Sequence, residues 1–519
     1  MGLAGGGMNK FKSPSATPDE AQLDIGWLRK AAVNGAIWLS LLAAAAIPLG
    51  YVRTWMLGQL GSNGEVLGTF AAFLIFTQLV FALVVPGGSS VLTSIVPRMA
   101  DLQAKSSLVA SYALLSGGAT ACFAGSLYFL PSLSSRLLQG TPLPLDFTWL
   151  LTLAPILVAS QVVLFALQGM MQFKLVAVLG QVQIALVSTI AALGLVFFPE
   201  TFQENASFIL FGTIAIAHMV IVGVGLIPLV RDLPAPDTYF RFPPRFWRFT
   251  AFVHLNTLCT FAYTNIDQIF VGTWLGPEEL GAYFALLQCA LLINFLPQKV
   301  GQLLLSSFSH LAANGGDMEL SRAYQKICRL TLIMATPLTL LFVLFSYQIS
   351  GFFGQWLADR HIYLVFISAS LYVGILGSIS SMLVLSKQSS ILFFANSAAV
   401  VSIQFIVTWG TIGEYGVFGA IAGKASAILI GQVGLFSIIR WHLPGIKITP
   451  PNSYWIGLGV VCLGVVLACT FEPHDFFSRL SALIILTAAY MLMIGFRARE
   501  ISSIARGIRQ SKDIKASNY

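Results

Sequence analysis

The sequence predicts an all-α integral membrane protein of about fourteen transmembrane helices. These form two six-helix lobes related by a parallel pseudo-two-fold repeat, followed by a C-terminal two-helix hairpin. Three observations carry this expectation: an apolar composition, a short motif that recurs once in each half, and a one-sided distribution of basic residues. Hydrophobic residues make up 56% of the 519 positions and charged residues 10%, with a mean hydropathy of +0.81. A soluble domain carries roughly 25% charged residues, so this chain is built for a bilayer.

Apolar runs recur along nearly the whole length, and about 20 helical residues cross a ~30 Å hydrocarbon core. The spans expected are 31–57, 69–95, 107–130, 147–169, 174–198, 207–230, 249–275, 280–305, 328–348, 362–386, 390–412, 416–440, 453–471 and 478–496. They are helices, because open strands would leave backbone groups unpaired in lipid. The segment 1–25 is a polar tail without the apolar core of a signal peptide. Residues 26–230 form the N-lobe and 249–447 the C-lobe. The linker 231–248 between them contains Pro234, Pro236, Pro243 and Pro244, which suits a semi-rigid strap. Residues 448–496 form the appended hairpin and 497–519 a basic tail.

The lobes are read as repeats because Leu60-Gly61-Ser62-Asn63-Gly64-Glu65-Val66-Leu67-Gly68 resembles Leu275-Gly276-Pro277-Glu278-Glu279-Leu280-Gly281. Each copy ends one apolar run and opens the next. Pairing Gly61 with Gly276 and Gly68 with Gly281 puts both copies at equivalent hairpin tips. Six crossings separate them, so the repeats share one orientation and their axis runs along the membrane normal.

The net charge of +8 would suggest nucleic acid in a soluble protein. Here 24 of 29 Lys and Arg fall in the loops and tails on one side, while the opposite loops hold only Arg136, Arg360 and Arg479. The positive-inside rule then places both termini in the cytoplasm, with no nucleic-acid partner, and a cell inner membrane as the location. Six cysteines lie in or at the edges of spans without CxxC spacing, which marks packing residues. No Walker A, HExxH, GxSxG or Cys/His metal spacing occurs, and no loop is long enough for a catalytic domain. The expectation is a transporter rather than an enzyme, without cofactor or metal.

Charges inside spans are costly, about 2.5–3.5 kcal/mol each on insertion scales, and usually face a cavity or a partner. Three stand out: Arg53, Asp267 and Lys424. At ~1.5 Å per residue they lie roughly 10–12 Å below their hairpin tips, in one layer of the outer third. Arg53 is pseudo-equivalent to Gln268, next to Asp267. One reading has Arg53 meeting an anionic substrate group, with Asp267 and Lys424 paired in the second lobe. The other has both cations snorkelling and Asp267 in a structural pair, with Lys424 on the packing face Gly419-xxx-Gly423. Lys299 either lines the cavity or snorkels inward. Pro86 and Pro297 interrupt spans 2 and 8 at similar depth, as gating bends that free carbonyls for a polar cargo or as static kinks. Twelve polar residues within spans, among them Gln181, Asn256, Asn265, Asn396 and Gln404, suit a hydrophilic lumen.

The tip motif, the run Asn265-Ile266-Asp267-Gln268 through Ala282-Tyr283, and the following Pro297 with its basic loop resemble the Wzx-type polysaccharide flippases of the multidrug/oligosaccharidyl-lipid/polysaccharide (MOP) superfamily, over residues ~26–496. That resemblance implies alternating access between the lobes. It implies transfer of an undecaprenyl-diphosphate-linked oligosaccharide from the inner to the outer leaflet, for O-antigen, exopolysaccharide or capsule synthesis. It also implies cationic cavity residues for the diphosphate, which carries over to Arg53, Lys424 and Lys299. As protein partners it implies a polysaccharide polymerase and a chain-length regulator. The extra hairpin is similar to that of lipid II flippases. Their sodium site uses an acid on span 7 with Asn and Asp one turn apart on span 11. Here Asn396 is followed one turn later by Val400, which argues against sodium coupling at that site. The alternatives are a lipid II flippase, a multidrug or cation antiporter, and, with less support, a glycan polymerase, which would need a sizeable outer loop.

Overall fold

The computed structural model describes residues 48–495 apart from 60–63, 97, 98, 100, 130–146, 241, 244, 245, 315, 387–389, 443–450 and 473. Among these residues there are helices and turns but no strand. Helix α1 covers 48–59. It is followed by α2 (Glu65–Val84), α3 (Gly88–Ile95), α4 (Leu102–Phe129), α5 (Phe147–Gly169), α6 (Phe173–Phe197), the short α7 (Pro199–Glu204) and α8 (Ala206–Asp232). The second half holds α9 (Phe246–Leu275), α10 (Pro277–Asn314), α11 (Gly316–Leu344), α12 (Ser346–Phe352), α13 (Gln355–Ala358), α14 (His361–Val373), α15 (Gly377–Ser386), α16 (Ser390–Tyr415) and α17 (Val417–His442). The chain closes with α18 (Asn452–Thr470) and α19 (Phe476–Met493).

Ten stretches among the described residues are long and apolar enough to cross a bilayer. Helices α1, α5, α9 and α10 occupy the four remaining expected span positions. Helix α9 is 30 residues long yet too polar to count by composition, because His254, Asn256, Thr260, Thr264, Asn265, Asp267 and Gln268 all lie on it. Of these, Thr264, Asn265 and Gln268 line a chamber between the halves.

The two hairpin tips meet each other. Gly64 and Gly276 both turn in the left-handed region, at φ 84° and 93°, and each precedes the first residue of the next helix. Gly61, matched to Gly276 on sequence, lies outside the described residues; among those described, Gly64 has the left-handed turn that corresponds to that of Gly276. One helical turn further on, Gly68 of α2 and Gly281 of α10 face each other backbone to backbone. A Cβ on Gly68 would stand 1.8 Å from the Pro277 carbonyl oxygen, and one on Gly281 would stand 2.3 Å from that of Gly64. Only glycine permits this approach. Helix α2 makes its most extensive packing against α10, so the join between the halves is centred on the repeated motif.

Neighbouring groups reinforce this tip face. Gln59 Nε2 donates to the Phe353 carbonyl at 3.0 Å, and the Trp356 ring packs over Gly58 and Gly64. Arg360 holds Glu279 at 2.7 Å and Glu278 at 3.2 Å.

At Pro86 the second span breaks: α2 ends at Val84 and α3 begins at Gly88, with Gly87 at φ 72°. Two carbonyls at this break are held by one side chain, Tyr112 Oη donating to Pro86 O at 2.9 Å and to Gly88 O at 3.1 Å. Helix α10 by contrast runs on through Pro297.

Helices α16 and α17 pack most closely of all, with Gly423 against Thr408 and Gly419 against Thr411. The C-terminal hairpin is pinned by Arg479. It sits in the first turn of α19, fully buried, rather than in a free loop. Its guanidinium donates to the carbonyls of Leu344, Ala468, Phe471 and Glu472 at the ends of α11 and α18. A cation is favoured there because helix C-termini carry unpaired carbonyls and partial negative charge.

Candidate functional site

Below the glycine contact, a cavity of about 560 Å³ opens between the halves. Helix α1 contributes Tyr51, Arg53 and Thr54, α2 contributes Gln78, and α9 contributes Tyr263, Thr264, Asn265 and Gln268. Lys424 of α17 completes the wall, so Arg53 and Lys424 come from opposite halves to one chamber. Helix α1 is fixed across the chamber by Tyr51 Oη, which donates to Gln288 O at 2.9 Å and Cys289 O at 3.1 Å on α10.

The two cations are held differently. Arg53 is 8% exposed, its Nε has no hydrogen-bond partner, and no described carboxylate pairs with it. Its guanidinium carbon lies over the Phe70 ring, 4.9 Å from the centroid. An unpaired guanidinium in such a place keeps its forked donors available for an anion.

Lys424 is saturated. Its Nζ donates to Tyr263 O and to Thr264 O at 3.4 Å, lies 3.5 Å from Asp267 Oδ1, and stacks 4.4 Å from the Tyr263 ring. Asp267 is fully buried, its Oδ2 accepting from Tyr283 Oη at 2.6 Å and its Oδ1 from Gln404 Nε2 at 3.3 Å. The Asp267 and Lys424 pair expected from sequence is thus present, joining α9, α10, α16 and α17. Among the described residues one carboxylate stands against two cations, which leaves one uncompensated positive charge at the chamber, centred on Arg53.

Gln268 lines the same chamber as Arg53. The residue of α16 that meets Asp267 is Gln404, two turns beyond Asn396, which instead lines a separate cavity of about 210 Å³ with Val400 and Gln432. The side chains of Lys299 and Pro297 lie outside the described residues.

Three participants were not singled out from sequence. Gln78 interrupts the apolar run of α2, and Tyr283 closes the repeated tip motif, so both carried a signal. Tyr51, beside Arg53, carried none.

A further cleft of about 400 Å³ continues from the chamber between α2 and α9, sharing Gln78 and Thr264 with it. Beyond it Gly87 N–H donates to His254 Nδ1 at 3.2 Å, a second join between the halves.

This all-helical, two-halved bundle with a chamber at the join has the fold of the MOP superfamily. The family described as Polysaccharide biosynthesis protein matches residues 65–358, and the chain belongs to it. Among solved structures, it is similar to the lipid II flippase MurJ in an inward closed conformation, with TM-score 0.68 and 15% identity over 88% of this chain and 98% of that one. It is similar to an inward-facing multidrug resistance MATE family transporter of the MOP superfamily, with TM-score 0.60 and 14% identity over 79% and 99% of the two chains. A MOP superfamily transporter from Pyrococcus furiosus, described by the reverse polarity of its binding pocket, matches with TM-score 0.54 and 15% identity over 81% and 97%. No curated protein matches the sequence.

Proposed function

We propose that the protein is a flippase that carries an undecaprenyl-diphosphate-linked oligosaccharide repeat unit from the inner to the outer leaflet of the cytoplasmic membrane, for surface polysaccharide synthesis. The observation that supports this most is Arg53: a buried, unpaired guanidinium on the wall of a chamber between two halves. A diphosphate is the group whose geometry and charge match such a fork. Lys424 lines the same chamber from the opposite half, but its Nζ is held by Asp267 and the carbonyls of Tyr263 and Thr264, so the anion contact falls to Arg53. Membership of the polysaccharide biosynthesis family supports a glycan cargo.

In this reading both termini and the linker face the cytoplasm and the tip face is the outer one. The glycine contact closes the chamber outward until the lobes rock. The lobes comprise 26–230 and 249–447, and Pro86, where the second span breaks, and Pro297 are points of flexure.

A lipid II flippase is a second reading, favoured by the likeness to MurJ and by the appended α18–α19 hairpin. A multidrug or cation antiporter is disfavoured, because the chamber's surplus charge is positive. Deletion separates these. The proposed activity requires that the deletion strain accumulate the lipid-linked repeat unit inside and lose surface polysaccharide while continuing to grow. Normal polysaccharide output would refute it, and lysis with accumulation of lipid II would establish the second reading.

A further inference from the structure

The cleft beside the chamber has a polarity of its own. It runs along α9, where Asn256, Thr260 and Thr264 succeed one another at one-turn spacing, and none of its lining residues carries a charge. The threonine hydroxyls have already spent their single protons. Thr260 Oγ1 donates to Asn256 O at 2.9 Å, Thr264 Oγ1 to Thr260 O at 2.8 Å, and Thr257 Oγ1 to Val253 O at 2.9 Å. What each still offers is lone pairs. Asn256 adds a carbonyl Oδ1 that is buried without a partner. Across the cleft, Gln78 Oε1 is occupied by Asn265 Nδ2 at 2.9 Å. The orientation of that amide is set by its second bond to the Phe261 carbonyl at 3.0 Å. Gln78 Nε2 is thus the amide donor facing a ridge of acceptors.

A surface where acceptors outnumber donors takes up O–H and N–H groups, and it offers a carboxylate no cation, only the amide N–H groups of Gln78 and Asn256. An anion placed there would exchange its hydration for those neutral donors alone, with no counter-charge, at a cost far above that of a hydroxyl. We propose that this cleft holds the sugar next to the diphosphate and selects a neutral, donor-rich unit, a hydroxylated or acetamido sugar, over an acidic one such as a uronate. This rests on the flippase reading above and adds the class of glycan to it.

Three soluble-chain probes test it with the purified full-length protein: farnesyl diphosphate, farnesyl diphosphate bearing N-acetylglucosamine, and farnesyl diphosphate bearing glucuronic acid. The neutral glycosyl probe is expected to bind about tenfold more tightly than the acidic one. Thr260→Val with Thr257→Val removes that preference and leaves farnesyl diphosphate binding unchanged, and Thr260→Ser with Thr257→Ser restores it. Equal binding of the two glycosyl probes, or a preference that survives the valine pair, overturns the proposal. If farnesyl diphosphate alone fails to bind while the sugar preference persists, the cationic site falls and the acceptor ridge stands. Failure of all three probes to bind overturns both.

Discussion

Replacing Gly68 by alanine adds one methyl group at the point where the halves touch. That Cβ would lie 1.8 Å from the Pro277 carbonyl oxygen, 2.7 Å from its carbon and 3.1 Å from Gly281 N. All three are rigid backbone, so no side chain can turn aside. Ordinary contact needs about 3.5 Å, so the tips must part by about 1.7 Å. Overpacking of this kind costs about 1–3 kcal/mol, and a bias of that size shifts a two-state equilibrium roughly 5–150-fold. The tip-closed state bears the whole cost, because only there do the glycines touch. The assay is labelling of a Leu74→Cys reporter on the chamber wall, in a background lacking the native cysteines, by an impermeant maleimide applied at the tip face. Gly68→Ala should raise labelling by a factor in that range and slow transport. Gly117→Ala is the control, because a Cβ there meets nothing within 4 Å. A folded Gly68→Ala protein that is labelled and transports like the parent would refute the glycine contact as the closure.

Asp267→Asn strands Lys424 beside a neutral amide and should cost about 3–5 kcal/mol, read as loss of thermal stability, while Asp267→Asn with Lys424→Met recovers much of it. Equal stability of the two variants would show that the pair contributes little. Arg479→Met leaves four helix-end carbonyls without their donor and should destabilise the C-terminal hairpin by about 3 kcal/mol, seen as faster proteolysis at α18–α19, whereas unchanged protection would contradict the pinning role. Tyr112→Phe removes both hydrogen bonds at the Pro86 break, and hydrogen exchange at Gly87 and Gly88 should speed up by about tenfold; an unchanged rate would mean the break is held otherwise.

Much of this architecture was legible because bilayers allow so few solutions. Long apolar runs read directly as helices, and an Arg, an Asp and a Lys within them were visible as exceptions. The repeated motif marked the hairpin tips, and its glycines proved to be the contact between them. Elsewhere the partners are set by distance along the chain. Arg479 reads as a loop cation because its acceptor Leu344 lies 135 residues away. Tyr112 carries no sign that it will bond carbonyls at the break 24 and 26 residues earlier. That Gly64 turns in the left-handed region is known only from its backbone dihedral. The contrast between a saturated Lys424 and an unpaired Arg53 is likewise tertiary, since both are single cations in apolar runs.

The central claim is that Arg53 recognises the diphosphate. Calorimetric titration of the purified protein with farnesyl diphosphate tests it most directly. Arg53→Ala should weaken binding by about 10–100-fold, the loss expected for hydrogen bonds to a charged group, with Arg53→Lys falling between because it keeps the charge without the fork. Binding by Arg53→Ala equal to that of the parent protein would contradict the account.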